Sequence, residues 1–231
     1  MAHQAAVLDG LIQHGLGAGV RRVLDCSCGI GTQAIGLART GHQVVGADLS
    51  PVAVARASRE AAARAVGLPV TVADMRRLPF AGSVFDVVLC ADNSLAHLLT
   101  AEDVTAALRE MRRVLRTGGL LLLTLRDYDE ILATRPGAQP PQVSETPEGR
   151  FISLQLWHWH EDGERYDLEH IQLLPTGGTW TVRTRRTVSW ALTRGELTRL
   201  VTDAGFTDVG WHAPESTGFY QPVLTARRAS R

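Results

Sequence analysis

Apolar and polar positions follow two different rhythms along the chain. In the first half, short apolar runs alternate with stretches whose apolar residues recur at helical spacing, as buried parallel strands and amphipathic helices do. Val7, Leu8, Leu11 and Ile12 predict a helix over about Ala5–His14, and strands are predicted at Arg21–Asp25, Gln43–Asp48, Pro69–Ala73, Phe85–Cys90 and Leu120–Leu125. Ser50-Pro51 supplies an N-cap and a first-turn proline for a helix running to about Ala65. Val104, Ala107, Leu108, Met111, Val114 and Leu115 form the inward stripe of a helix that Gly118-Gly119 ends. Five strands alternating with helices imply a right-handed doubly wound sheet.

The rhythm then changes. Thr134–Gly149 is rich in Pro, Gly and polar residues and is predicted to be a long loop or lid. Phe151–His160, Arg165–Leu174 and Trp180–Trp190 read as strands joined by Asp162-Gly163 and Gly177-Gly178 turns, an antiparallel extension. Thr193-x-x-Glu196 is a capping box for a helix stopped by Gly205, and Val209–His212 and Phe219–Ala226 are predicted to be the final strands. The expected division is 1–133 for a cofactor-binding core, 134–190 for the loop and β extension, and 191–231 for the elements completing the core sheet.

The first predicted strand runs into Asp25-Cys26-Ser27-Cys28-Gly29-Ile30-Gly31, and a helical face follows. Two glycines leave the backbone bare where a ligand must come close, and a new helix directs free N–H groups into that space. Gly29-x-Gly31-x-x-Ala34 also satisfies the dinucleotide fingerprint, so NAD competes for the loop. Asp25 separates the two, because a carboxylate at the strand mouth repels a pyrophosphate but helps hold the ammonium of a methionine moiety. S-adenosyl-L-methionine is therefore the expected cofactor. Asp48 ends the second strand about twenty residues on, where an acid accepts both ribose hydroxyls. Asp74 is placed to accept the adenine amino group with Met75 packed on the ring, or alternatively to cap its own turn.

Composition narrows the chemistry. All 24 basic side chains are arginine, which excludes Schiff-base chemistry and the phosphate-loop lysine. They are balanced by 24 acids, so nucleic acid is not an expected partner. Cys26, Cys28 and Cys90 lie in or beside apolar runs and read as reduced, buried thiols, which suits a cytoplasmic home. No signal-like start or membrane-length apolar run is evident.

The Asp25…Gly29-x-Gly31 loop, Asp48, Asp74 and the strand order resemble class I S-adenosylmethionine-dependent methyltransferases, whose fold is a Rossmann-like seven-stranded sheet. Asn93-Ser94-Leu95-Ala96-His97-Leu98 and Arg126-Asp127-Tyr128-Asp129 resemble glycine and sarcosine N-methyltransferases. The resemblance implies that Ser27 and Gly29 line the methionine part, Asp48 binds the ribose, and Leu49, Asp74 and Met75 surround adenine. It also implies that the Ala91 carbonyl meets the ammonium and that Asn93 and Arg126 meet an amino-acid acceptor. Ser27 replaces a glycine or alanine of the family loop, and Asp92 stands where a glycine is usual. Those relatives carry a cofactor-covering segment before the helix matching Ala5–His14, so either the 134–149 loop acts as lid or cofactor binding is weaker.

The expected function is methyl transfer to a small molecule, an amine or amino acid foremost. An NAD-linked oxidoreductase and a non-catalytic S-adenosylmethionine-binding protein are the alternatives. Arg126 can grip an acceptor carboxylate in a bidentate fork, or pair with Asp127 or Asp129. His97 is a candidate base for a hydroxyl acceptor, or a packing histidine. Tyr220 borders the acceptor pocket or packs in the core. His158 and His160 share one strand face opposite Trp157 and Trp159, but further ligands are not evident and no metal is expected. Oligomeric state is not legible.

Overall fold

The computed structural model describes residues 2–146 and 149–229, which fall into two compact units. The first comprises 1–95, 101–126 and 195–231, and the second 96–100 and 127–194.

In the first unit, α1 (Ala2–Leu16) buries Ala5, Leu8 and Ile12, one stripe at helical spacing. Then come β1 (Arg22–Asp25), α2 (Thr32–Arg39), β2 (Gln43–Asp48), α3 (Pro51–Ala62), β3 (Val70–Val72), β4 (Phe85–Cys90), α4 (Ala101–Val114) and β5 (Leu115–Thr124). Ser50 Oγ caps α3 by accepting from Ala53 N at 3.3 Å. The order across the sheet is β3-β2-β1-β4-β5-β11-β10, the seven-stranded Rossmann-like arrangement expected. Here β10 is Phe206–His212 and β11 is Val223–Arg228, with α6 (Arg194–Asp203) before them. Val23, Leu24, Val87, Val88, Leu89, Leu121 and Leu122 are wholly buried, because strands covered on both faces need apolar side chains on each.

Parallel pairing of β1 with β2 and β4, and of β4 with β5, brings Asp25, Asp48, Cys90 and Thr124 to one edge of the sheet. β11 runs antiparallel to β5 with Val223 opposite Thr124, so the segment preceding β11 returns to that same edge. The last strand therefore starts later than the sequence suggests. Pro222 has no N–H for the ladder, and 219–222 form the approach to β11 rather than its first residues.

The second unit is built on a four-stranded antiparallel sheet, β6 (Ala138–Thr146), β7 (Gly149–Trp159), β8 (Arg165–Thr176) and β9 (Thr179–Trp190), in that order. The three strands expected here are present. The predicted loop at Thr134–Gly149 is corrected: most of it is β6, paired with β7, although Pro147 and Glu148 lie outside the described residues. Pro140 and Pro141 hide the strand in the sequence, yet both fit because β6 is an edge and its register shifts between Gln139 and Gln142. A short helix, α5 (Tyr128–Thr134), precedes it, capped by Asp127 Oδ1 on Glu130 N at 3.3 Å. Tyr166 stacks on Trp157 with ring centroids 4.4 Å apart, and its hydroxyl meets that of Tyr128 at 2.9 Å. A final short helix, α7 (Pro214–Thr217), belongs to the first unit. No helix among the described residues is long and apolar enough to cross a membrane.

Candidate active site

The carboxyl edge of the first sheet carries two groups of residues. The first surrounds the β1–α2 turn. Cys26 N donates to Leu89 O and Cys28 N to Ala47 O, both at 2.9 Å, so the turn is fastened to the strands on either side of β1. Gly29 has φ +52, and a Cβ built on it meets nothing within 4 Å. That open space is a cradle for a ligand lying against bare backbone. Gly31, at φ +91, caps the start of α2, a conformation that favours glycine, and a Cβ there would lie 2.9 Å from Ile35 Cδ1, whose side chain would have to shift.

Asp48 ties this turn to the next. Its Oδ2 accepts from Gly29 N at 2.8 Å and its Oδ1 from Ser50 N at 2.9 Å. The carboxylate is thereby fixed at the mouth of β2, and each oxygen keeps lone-pair capacity for a sugar hydroxyl. Leu49, beside it, is 68% exposed, an apolar surface of the kind a purine ring covers.

Asp25 is almost completely buried; its Oδ1 accepts from Ser27 N at 3.4 Å, and its Oδ2 reaches no donor in normal hydrogen-bond geometry among the described residues, although the Ala34 amide is near enough to act on the charge. Burial chiefly pushes its pKa up to about 8, with the charges of Asp92 and Asp48 adding to the effect and the amides of Ser27 and Ala34 opposing it. A buried carboxylate oxygen lacking a donor is a vacancy for a cation, and the ammonium of a methionine moiety meets that need. The residues present therefore fit the expected cofactor. Ser27 Oγ donates to Cys90 Sγ at 3.4 Å, and all three cysteines are buried thiols, as expected.

Two of the expected contacts are already engaged. The Ala91 carbonyl accepts from Ser94 Oγ at 2.7 Å. Asp74 receives Arg76 through its backbone N at 2.8 Å and through its guanidinium, and Arg76 also reaches Asp103 at 2.9 Å. This Arg76 pairing, opposed by modest burial, holds the Asp74 carboxyl below its usual range. The turn-capping alternative for Asp74 is thus what the side chain does here. Met75 beside it is half-buried.

The second group lies at the mouths of β4 and β5. Asp92 and Asn93 have φ +58 and +67, the left-handed region, which costs a non-glycine residue about 1–2 kcal/mol. Hydrogen bonds hold them there: Asp92 N donates to Thr124 Oγ1 at 2.9 Å and Asn93 N to Thr124 O at 3.1 Å. Thr124 Oγ1 in turn donates to Gln221 Oε1 at 2.9 Å. Asn93 is buried with Oδ1 accepting from Arg126 N at 3.2 Å, so this amide sets the path of the chain leaving β5. Asp92 Oδ1 accepts from Gln33 Nε2 at 3.1 Å and from the Tyr220 hydroxyl. Burial first, then the bond to Asp92, raises the Tyr220 phenol above its ordinary pKa, while the nearby Arg126 charge lowers it. Tyr220 and Arg126 therefore share one neighbourhood with Asp92.

Of the sequence candidates, Asp25, Ser27, Gly29, Gly31, Asp48 and Leu49 gather at the first group and Ala91, Asn93, Arg126 and Tyr220 at the second. His97 belongs to the second unit, where its Nδ1 faces Val188 O at 3.3 Å. The acids considered as partners for Arg126, Asp127 and Asp129, both meet Arg194 in that unit. His158 Nε2 lies 3.3 Å from Glu169 and His160 Nε2 3.4 Å from Asp167, two separate contacts. Gln33, Thr124 and Gln221 belong to this group and are not flagged by the motifs, whereas Asp92 already stands out in the sequence where the family's glycine is usual. Only the polar Gln33 inside an apolar helix face signals in the sequence, since a buried amide needs partners.

Residues 23–119 match the family model described as a methyltransferase domain. Over those residues the chain is similar to a methyltransferase domain. Over 116 residues it is 42% identical to a glycine/sarcosine N-methyltransferase of Parasynechococcus marenigrum (strain WH8102), a match covering 49% of this chain and 41% of that protein. The chain thus spans less than half the length of that curated relative. Among solved structures, an S-adenosylmethionine-dependent methyltransferase from Clostridium acetobutylicum superposes with a TM-score of 0.81 at 12% identity, covering 99% of this chain and 92% of that one. The sugar N-methyltransferase KedS8 from Streptoalloteichus gives 0.81 at 22% identity, covering 99% and 88%. At those identities the likeness to both is one of fold.

Proposed function

We propose that this chain binds S-adenosylmethionine across the mouths of β1 and β2 and transfers its methyl group to a small-molecule amine. The observation that carries this reading is the buried Oδ2 of Asp25, which has no donor of its own, beside an open glycine cradle and the fixed carboxylate of Asp48. When bound, the cofactor supplies an electrophilic methyl group. The chain's own residues bind and orient: Asp25 compensates the ammonium, Asp48 holds the sugar, and Leu49 covers the base. Holding nucleophile and methyl carbon in line supplies roughly 7–11 kcal/mol of such a barrier, so no dedicated protein nucleophile is needed.

Arg126 and Tyr220 lie on the acceptor side of this arrangement. The names of the curated relatives, glycine and sarcosine N-methyltransferases, support an amino acid as one acceptor class, with Arg126 meeting its carboxylate.

Calorimetric titration with S-adenosylhomocysteine and with NAD tests the cofactor assignment. Saturable binding of the first and no response to the second is expected, and the reverse result overturns it. Methyl-labelled cofactor incubated with a metabolite panel then tests turnover. Label that never leaves the cofactor would make the chain a binding protein without transferase activity.

A further inference from the structure

We infer that Asp92 is the acceptor-selecting residue, and that it selects a primary or secondary amine bound as its ammonium cation over a hydroxyl acceptor. The inference rests on the transferase reading above and names the substrate class of that same site. The carboxylate stands at the mouth of the central strand β4, between the mouth of β1, where Asp25 ends the strand, and the chain leaving β5 at Arg126. Its backbone is held in the left-handed region at φ +58 by Thr124 Oγ1, so the side chain leaves the strand in a direction an ordinary strand residue does not take.

Two side chains from distant parts of the sequence aim it. Gln33, almost fully buried on α2, donates to Oδ1 at 3.1 Å while also donating to Gln4 Oε1 at 3.3 Å. Tyr220, from the approach to β11, donates to the same oxygen. Both donors meet Oδ1, which leaves the lone pairs of Oδ2 outside these two bonds.

The residue is exposed, so its charge meets that ligand directly. Three acidic residues, Asp25, Asp48 and Asp92, stand at the carboxyl edge of the sheet, and Arg126 follows β5 there. Asp48 is committed to the Gly29 and Ser50 amides, and Asp25 lies buried beneath the turn. Asp92 is left as the anion facing the acceptor side. A hydroxyl gains a hydrogen bond to the charged oxygen there, and an ammonium gains that bond together with the attraction of opposite charges; before transfer the ammonium would pass one proton to the Asp92 carboxylate, which frees the nitrogen lone pair. A zwitterionic amino acid fits with its ammonium on Asp92 and its carboxylate toward Arg126, and an amino sugar fits through the ammonium alone.

The test compares wild type with Asp92→Asn and Asp92→Gly. Both replacements tolerate a left-handed backbone, so both fold. With S-adenosylhomocysteine present, calorimetry measures binding of glycine against glycolate and of glucosamine against glucose. Labelled cofactor measures transfer to the same four compounds. Wild type is expected to favour at least one amine over its hydroxyl counterpart, and both variants to reduce that preference roughly tenfold or more. Their affinity for S-adenosylhomocysteine is expected to stay within about threefold of wild type. Variants that keep the preference, a wild type that takes the hydroxyl partner equally well, or a wild type that binds S-adenosylhomocysteine but neither amine overturns the inference. A wild type that fails to bind S-adenosylhomocysteine overturns the transferase reading itself, which separates the two failures.

Discussion

The two groups of residues at the carboxyl edge of the seven-stranded sheet are built on different principles. Around β1 and β2 the ligand surface is mostly backbone: the Gly29 cradle, the amides of Gly29 and Ser50 held by Asp48, and a single buried acid. At β4 and β5 it is side chains, Asp92, Asn93, Gln33 and Tyr220, with Tyr220 reaching Asp92 across 128 residues of sequence and the group braced on two left-handed residues. A backbone-built half recognises a constant ligand, because its geometry follows from the turn and tolerates changes in neighbouring side chains. A side-chain-built half changes what it accepts with one substitution. On the proposed reading the cofactor goes to the first and the variable acceptor to the second.

The largest expected effect sharpens this division. Asp48→Ala removes the acceptor for two backbone amides, each bond to a charged group worth about 1.5–3 kcal/mol, together with the sugar contact. Affinity for S-adenosylhomocysteine should fall about 100-fold by calorimetry, close to 3 kcal/mol. Tyr220→Phe, in the other half, should leave that affinity within about threefold. Equal losses from both would mean that the halves are not separate.

The next effect follows from Asp25, whose pKa is pushed up from 3.8 to about 8, chiefly by burial. Between those values the folded ligand-free protein holds a proton that the unfolded chain has released, so stability falls as pH rises through that window. Asp25→Asn removes the titration, and its melting temperature should decline less than wild type from pH 5 to pH 9. Cofactor ammonium favours the ionised carboxylate. Binding near pH 7 should then release a proton in wild type and not in the variant, read from calorimetry in buffers of different ionisation heat. An unchanged proton count would remove Asp25 from the ammonium.

Arg126→Ala probes the acceptor half. Turnover of carboxylate-bearing acceptors should drop roughly 10- to 100-fold, the worth of a charge-assisted pair, with S-adenosylhomocysteine affinity retained. Undiminished turnover would remove the amino-acid acceptor.

The same division explains what could be read from the sequence. β1, β2, β4 and the Asp25–Gly31 turn were legible because burial on both faces and the need for glycine act on neighbouring residues. The β6 strand was not, since Pro140-Pro141 reads as loop unless the strand is known to be an edge. Nor was the partner of Asp92, because Gln33 and Tyr220 meet it only after β11 has folded back antiparallel to β5. Asp74 shows the limit of a motif: a nearby Arg76 occupies it, and nothing in its spacing announces that.

The smallest effect measures how far the two halves influence each other. Burial is the first cause of the raised Asp25 pKa, and the charge of Asp92 is a lesser one, larger than that of Asp48. Replacing Asp92 with Asn removes that repulsion and leaves the burial of Asp25 unchanged. The Asp25 midpoint in the ligand-free protein, followed by carbon-detected carboxyl resonances, should therefore move down while staying well above the ordinary carboxylate range. Two like charges that repel through a shared low-dielectric edge are relieved by cations placed between them. A downward shift means that the acceptor-side charge reaches the cofactor side before any ligand arrives, so ammonium groups bound on the two sides favour each other's binding. A midpoint that does not move would make the halves electrostatically independent, and any cooperativity between cofactor and acceptor would then have to come from direct contact between the two ligands.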